Sequence, residues 1–113
     1  MKYALLIYSP PGRTWEDLSE EEQNSVMGEY FAISQSPGIL GGEQLQPTET
    51  ATSVRVDNGS TLTTDGPFAD TKEVFGGFYL LEADNLDKAI EVAARIPAAR
   101  MGGAVEVRPI VER

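Results

Sequence analysis

Two segments that are apolar at both strand parities set the terms for any fold this chain adopts. They are Tyr3-Ala4-Leu5-Leu6-Ile7-Tyr8 near the start and Val74-Phe75-Gly76-Gly77-Phe78-Tyr79-Leu80-Leu81 in the last third. Successive side chains of a strand point to opposite faces, so a strand without polar positions needs cover on both. Each segment therefore reads as a strand buried on two sides. Gly76-Gly77, inside the second, marks a bulge or a close backbone approach. Helix signals follow each strand. Ser19 and Glu22 form a capping box, and Glu20, Glu21 and Glu22 suit the positive end of a helix dipole. Val26, Met27, Tyr30, Phe31 and Ile33 or Ser34 continue as an apolar stripe at helical spacing, which Pro37-Gly38 ends near Ser36. A second helix, capped by Asp84 or Asn85, is expected to bury Leu86, Ala89 or Ile90, Ala93 and Ala94 and to stop at Pro97. Gly102-Gly103 then turns the chain into a closing strand from Ala104 to Ile110.

The middle third is less apolar. Thr52-Ser53-Val54-Arg55-Val56 and Ser60-Thr61-Leu62-Thr63 flank Asp57-Asn58-Gly59 and read as a β-hairpin, the Asn-Gly pair supplying the positive φ its turn requires. Its polarity puts it at a sheet edge or makes it an arm. The order is β-α-β-β-β-α-β, which predicts an α+β, ferredoxin-like sheet with both helices on one face. The 113 residues fit one domain, spanning 1–113. The far face of the sheet still needs cover, and a second copy of the same sheet provides it, so a homodimer is expected.

Composition narrows the chemistry. Nine Lys and Arg against 18 Asp and Glu leave a net charge of −9, which repels phosphate backbones and anionic lipid, so neither nucleic acid nor membrane is an expected partner. There is no Cys and no His. That removes disulfides, thiolate nucleophiles, Ser–His–Asp arrangements and the usual zinc and haem ligands, so no cofactor and no metal is expected. The first apolar run, six residues from Tyr3 to Tyr8, is shorter than a secretory h-region, and a cytoplasmic location is the expectation.

The most specific motif is Asp65-Gly66-Pro67-Phe68-Ala69-Asp70-Thr71-Lys72-Glu73. Asp65 can accept backbone N–H groups in an Asx-type turn, Gly66 can take positive φ and Pro67 fixes the next φ. Phe68 is expected to anchor the loop in the core, with Lys72 and Glu73 as a charged pair at the mouth of the next strand. The nonapeptide resembles the signature of the DGPF-type branch of the YCII-related family, except that the family has Glu where Asp70 stands. Gly42-Glu43-Gln44-Leu45 looks like that family's strand after the first helix, Gly76-Gly77-Phe78-Tyr79 follows at the expected place, and Glu106-Val107-Arg108-Pro109 is similar to its closing strand. The resemblance implies a small bacterial, cytoplasmic, dimeric α+β barrel, and an association with extracytoplasmic-function sigma factors. The wider superfamily's suggested His–Asp pair cannot be carried over: Asp65 matches the aspartate, but the chain has no His.

Two functional classes follow. The first is a regulatory or accessory dimer that binds a small ligand, or a protein partner such as a sigma factor or another basic surface. The absence of His favours it over catalysis, since acid–base work near neutral pH mostly employs His. The second is an isomerase- or lyase-type enzyme in which Asp65 acts as general base in a barrel cleft. Lys72 would then bind a small anionic substrate or stabilise an enolate, and Arg55 would hold a carboxylate in its fork. Each residue also has a structural reading. Asp65 and Lys72 also read as a structural turn with a surface ion pair, and Arg55 reads first as an edge-strand surface charge. Glu43 reads as a ligand contact or as an ion pair with Arg108 or Arg55 across the sheet. Trp15 reads as a lid over the cleft or as a core anchor.

Overall fold

Strand β1 (Lys2–Ser9) is the spine of the molecule, with β5 (Val74–Glu82) on one side and β6 (Ala104–Pro109) on the other, both antiparallel to it. Strand β2 (Ile39–Gln44) pairs with the outer side of β5, giving a four-stranded sheet of order β2-β5-β1-β6. This is the antiparallel sheet of a ferredoxin-like α+β fold, seen in a computed structural model that describes residues 1–10, 15–68 and 72–113. Helix α1 (Glu20–Ser34) connects β1 to β2, and α2 (Leu86–Ala94) connects β5 to β6.

Strand parity separates the two faces. Tyr3, Leu5 and Ile7 are buried and sit opposite Leu81, Tyr79 and Gly77 of β5. They join Ile33 of α1 and Ala89 and Ala93 of α2 in one core cluster, so both helices cover this face. The other parity of β1 and β5, carrying Ala4, Leu6, Tyr8, Phe75, Phe78 and Leu80, has no helix on it. Tyr8 and Phe75 meet there in a tilted ring contact, 5.5 Å between centroids. The double-parity strands thus have one covered and one uncovered face in the single chain.

The local signals act where expected. Ser19 Oγ accepts from Glu22 N at 3.1 Å while the Glu22 carboxylate accepts from Ser19 N at 3.4 Å, completing the capping box. Asn85, not Asp84, caps α2, its Oδ1 accepting from Lys88 N at 3.0 Å. The β1–β5 register shifts between Ile7 and Tyr8, leaving Gly76 as the extra residue of a bulge. The Pro11-Gly12 stop and Asp70 of the nonapeptide lie outside the described residues.

Three expectations are corrected. There are six strands among the described residues, not five: β2 joins the sheet although Gly41-Gly42 and its polar end hide any apolar pattern. Pro97 opens a short 3-10 turn, Pro97–Ala99, and is itself buried. The apolar stripes are narrower than the helical spacing suggested, because Met27 and Phe31 of α1 and Leu86 and Ile90 of α2 stay exposed while Ala89 and Ala93 carry the contact.

The hairpin is an arm. β3 (Thr52–Asp57) and β4 (Ser60–Asp65) form their own two-stranded sheet, closed by Asn58 and Gly59 at φ 49° and 79°, as a type I′ turn requires. Its contacts are principally within itself. The radius of gyration, 16.0 Å, exceeds the about 13 Å of a compact chain of this length.

Candidate functional site

A cavity of about 790 Å³ lies on the helix side of the sheet, between α1 and the ends of β1, β2 and β5. Its floor is the β5 bulge. Gly42, Gly76 and Gly77 bring bare backbone to the surface there, beside Ile7 and Ser9. Two of these glycines are required by close strand approach: a Cβ on Gly42 would lie 2.4 Å from the Phe78 carbonyl oxygen, and one on Gly77 would lie 2.9 Å from that of Glu43. The α1 wall consists of Val26, Met27, Tyr30, Phe31 and Ser34. Trp15 and Leu18 from the segment before α1, with Ala98 and Met101 from the turn after α2, close the ends. Trp15, Met27 and Phe31 are exposed aromatic or apolar groups, so they form the rim.

Polar groups are few. Ser9, Ser34 and Gln44 reach the lining, and the Tyr79 hydroxyl donates to the Tyr30 carbonyl at 3.0 Å. Burial pushes the Tyr30 phenol up, against a smaller lowering by its hydrogen bond to the Ala98 backbone and by Arg100. Burial likewise raises Tyr79, with Tyr30 adding to the effect. Both therefore stay protonated through neutral pH and offer hydroxyls rather than phenolates. Arg100 pairs with Glu29, tying α1 to the turn after α2 beside Tyr30. A raised phenol pKa favours the folded state only while the proton is held, so this contribution is present below the ordinary phenol value of about 10 and fades as pH rises above it. The expected outcome is a melting temperature that falls from about pH 10 upward. Absorbance at 295 nm should show less tyrosinate forming at the high end of the titration in Tyr30→Phe and in Tyr79→Phe than in the wild type.

The expected site residues divide into two places. Trp15 sits at the cavity rim, partly in solvent, and its carbonyl accepts from Gln23 Nε2 at 2.9 Å. Glu43 borders the cavity, but it pairs with Phe78, so strand register puts its side chain on the open face of the sheet. The expected Glu43–Arg108 pair is not formed. β2 and β6 are opposite edges of the sheet, and Arg108 pairs with Glu106 on its own strand. Arg55, Asp65 and Lys72 do not line the cavity. Asp65 closes the β4 ladder opposite Thr52, with its side chain exposed. The turn it leads into has Gly66 at φ 102°, held by Gly66 N donating to Ala51 O at 2.7 Å and by Ser53 Oγ donating to Gly66 O at 2.8 Å. Phe68 is not a core anchor. Its ring is exposed and lies under the Arg55 guanidinium, 4.5 Å from the centroid, because Phe68 packs on the arm instead of the body. Lys72 is exposed at the foot of β5.

Tyr30, Tyr79, Ser34, Gln44 and Met101 are cavity residues that sequence reasoning missed. The available signal was the α1 stripe, which is too wide for one buried face: Met27 and Phe31, spaced i and i+4, form a second line beside Val26, Tyr30 and Ile33. Among the described residues no group of three or more carboxylates is placed to hold a metal ion, and no helix is long and apolar enough to cross a membrane.

The YCII-related domain matches the chain over residues 1–113, its whole length. The chain belongs to the YCII-related family. A similar protein of this kind is an uncharacterized protein of Rhizobium meliloti (strain 1021), 38% identical over 117 residues that cover 97% of this chain and 92% of the relative. The YCII-related domain here consists of a ferredoxin-like body with an apolar cavity under α1, and a two-stranded arm that ends at Asp65, the first residue of the nonapeptide.

Proposed function

We propose that this YCII-related domain is a cytoplasmic, dimeric accessory protein that holds a small, uncharged, partly aromatic ligand in the cavity beneath α1. The cavity carries the reading: about 790 Å³ is within the range of small-molecule sites, and its walls are apolar and aromatic with a few hydroxyl and amide groups. Burying an unpaired charge there costs far more than burying a neutral ring. The small anionic ligand expected from Arg55 and Lys72 has no Lys or Arg side chain in the described lining.

Two observations support the dimer and the partner. Ala4, Leu6, Tyr8, Phe75, Phe78 and Leu80 make a contiguous apolar surface that a monomer rarely leaves open. Glu16, Asp17, Glu20, Glu21 and Glu22 gather in exposed positions next to Trp15 at the cavity rim. A basic protein surface, a sigma factor among them, docking there would sense whether the rim is occupied. The enzyme reading with Asp65 as base lacks this support, since Asp65 is on the arm and outside the cavity.

The test is thermal shift with a matched set: 3-methylindole, its carboxylate analogue indole-3-acetate and its amine analogue tryptamine. At a hundredfold excess over its dissociation constant a ligand adds about 2.7 kcal/mol, a shift of about 10 °C at this size. The neutral compound is expected to raise the melting temperature and the two charged ones to leave it unchanged. Preference for the carboxylate would return the site to Arg55 and Lys72, and no shift from any of the three would remove the cavity as a ligand site.

A further inference from the structure

We propose that the β3–β4 ribbon is a dimerisation arm that lies on a second copy of this chain, and that the interface is incomplete without it. The inference rests on the dimer reading above and goes on to assign the arm. A two-stranded hairpin is marginal in water by itself, yet this one stands off the body with Val54, Val56 and Phe68 exposed by 61, 69 and 72% and Leu62 by 48%. Val54 and Val56 share one face of the ribbon with Thr61 and Thr63, while Arg55 and Leu62 share the other. No Pro or Lys interrupts either strand, the usual devices that keep an exposed edge from pairing.

Area agrees with a second copy as the occupant. A stable interface buries about 800 Å² of accessible surface per partner, and a ribbon of two strands about 4.8 Å apart and roughly 20 Å long, laid on its twin, adds to what two open sheet faces bury on meeting. By two-fold symmetry every protomer gains both the ribbon face it lays down and the surface its twin's ribbon covers. Charge agrees. The chain carries −9 overall, but the arm from Thr52 to Asp65 holds only Arg55, Asp57 and Asp65, so two copies can meet there without stacking their acidic segments.

The experiment is sedimentation equilibrium on the wild type and on Val54→Asp/Val56→Asp, with far-UV circular dichroism and melting of both. The expected result is a wild-type dimer whose dissociation constant rises at least a hundredfold in the variant, at unchanged secondary structure. A variant that dimerises as tightly as the wild type overturns the arm and leaves the dimer standing. A wild type that is monomeric at every concentration overturns both and makes a foreign protein the occupant of these surfaces. Should the variant not fold, hydrogen exchange on the wild type decides. Amide protection in β3 and β4 that rises with protein concentration through the dimer transition supports the arm, and protection independent of concentration overturns it.

Discussion

Leu5→Ala is expected to lower the stability of the folded chain by about 3 kcal/mol, the middle of the range for deleting a large side chain from a packed core. Leu5 is wholly buried in the central strand, opposite Tyr79 of β5 and Val107 of β6, and belongs to the cluster shared by both helices. The surrounding strands are held by ladder hydrogen bonds on both sides of β1, so they cannot collapse into the void, and the cavity term adds to the lost transfer free energy. For a domain of this size the melting temperature should fall by about 10–15 °C. Leu6→Ala, one position along and on the open face, should cost the isolated chain far less, and its cost should appear in self-association instead. Thermal unfolding of the two variants across a range of protein concentrations checks the contrast.

Gly42→Ala should cost about 2–3 kcal/mol although it adds one methyl group. That methyl would sit 2.4 Å from the Phe78 carbonyl oxygen and 2.8 and 3.0 Å from Cδ1 and Cα of Tyr79. Two of those three atoms are backbone of the neighbouring strand, so no side-chain rotation relieves the clash and β2 must move away from β5. The same shift pulls Gln44 and the Glu43 backbone off the cavity wall and moves the Tyr79 ring that hydrogen-bonds α1. The expected result is joint loss: a lower melting temperature, and weaker ligand binding at temperatures where the variant is still folded. Gly41→Ala, whose methyl would meet nothing within 4 Å, is the control and should leave both nearly unchanged. Equal effects at the two glycines would contradict this account of the cavity floor.

The parts of the fold that sequence reading captured are those with a local physical cause. The double parity of β1 and β5, the Ser19–Glu22 capping box, and the Asn58–Gly59 turn each act within a few residues, and each is present. The residue pattern alone does not show β2, to which the family resemblance at Gly42-Glu43-Gln44-Leu45 points, because it is an edge strand with one sparsely covered face, and its Gly42 answers to close approach. The site was harder to read. The nonapeptide joins Asp65 and Lys72 in sequence and alternation with Val54 and Val56 singles out Arg55, but the ribbon takes Asp65 and Arg55 away from the body. The cavity is instead assembled by elements far apart in the chain, from Trp15 to Met101. Phe68 illustrates the limit: an aromatic residue after Gly-Pro reads as an anchor, and whether it anchors to the core or to Arg55 depends on where the arm goes.

Trp15 makes the central claim directly measurable, because it is the only tryptophan of the chain and it stands at the cavity rim. The experiment is a fluorescence titration with N-phenyl-1-naphthylamine, an uncharged aromatic probe that accepts energy from tryptophan and brightens in apolar surroundings. A cavity that binds such molecules gives saturable transfer from Trp15 at one probe per chain, competed away by 3-methylindole and weakened in Gly42→Ala. Transfer that never saturates, or that 3-methylindole leaves untouched, contradicts a ligand site beneath α1.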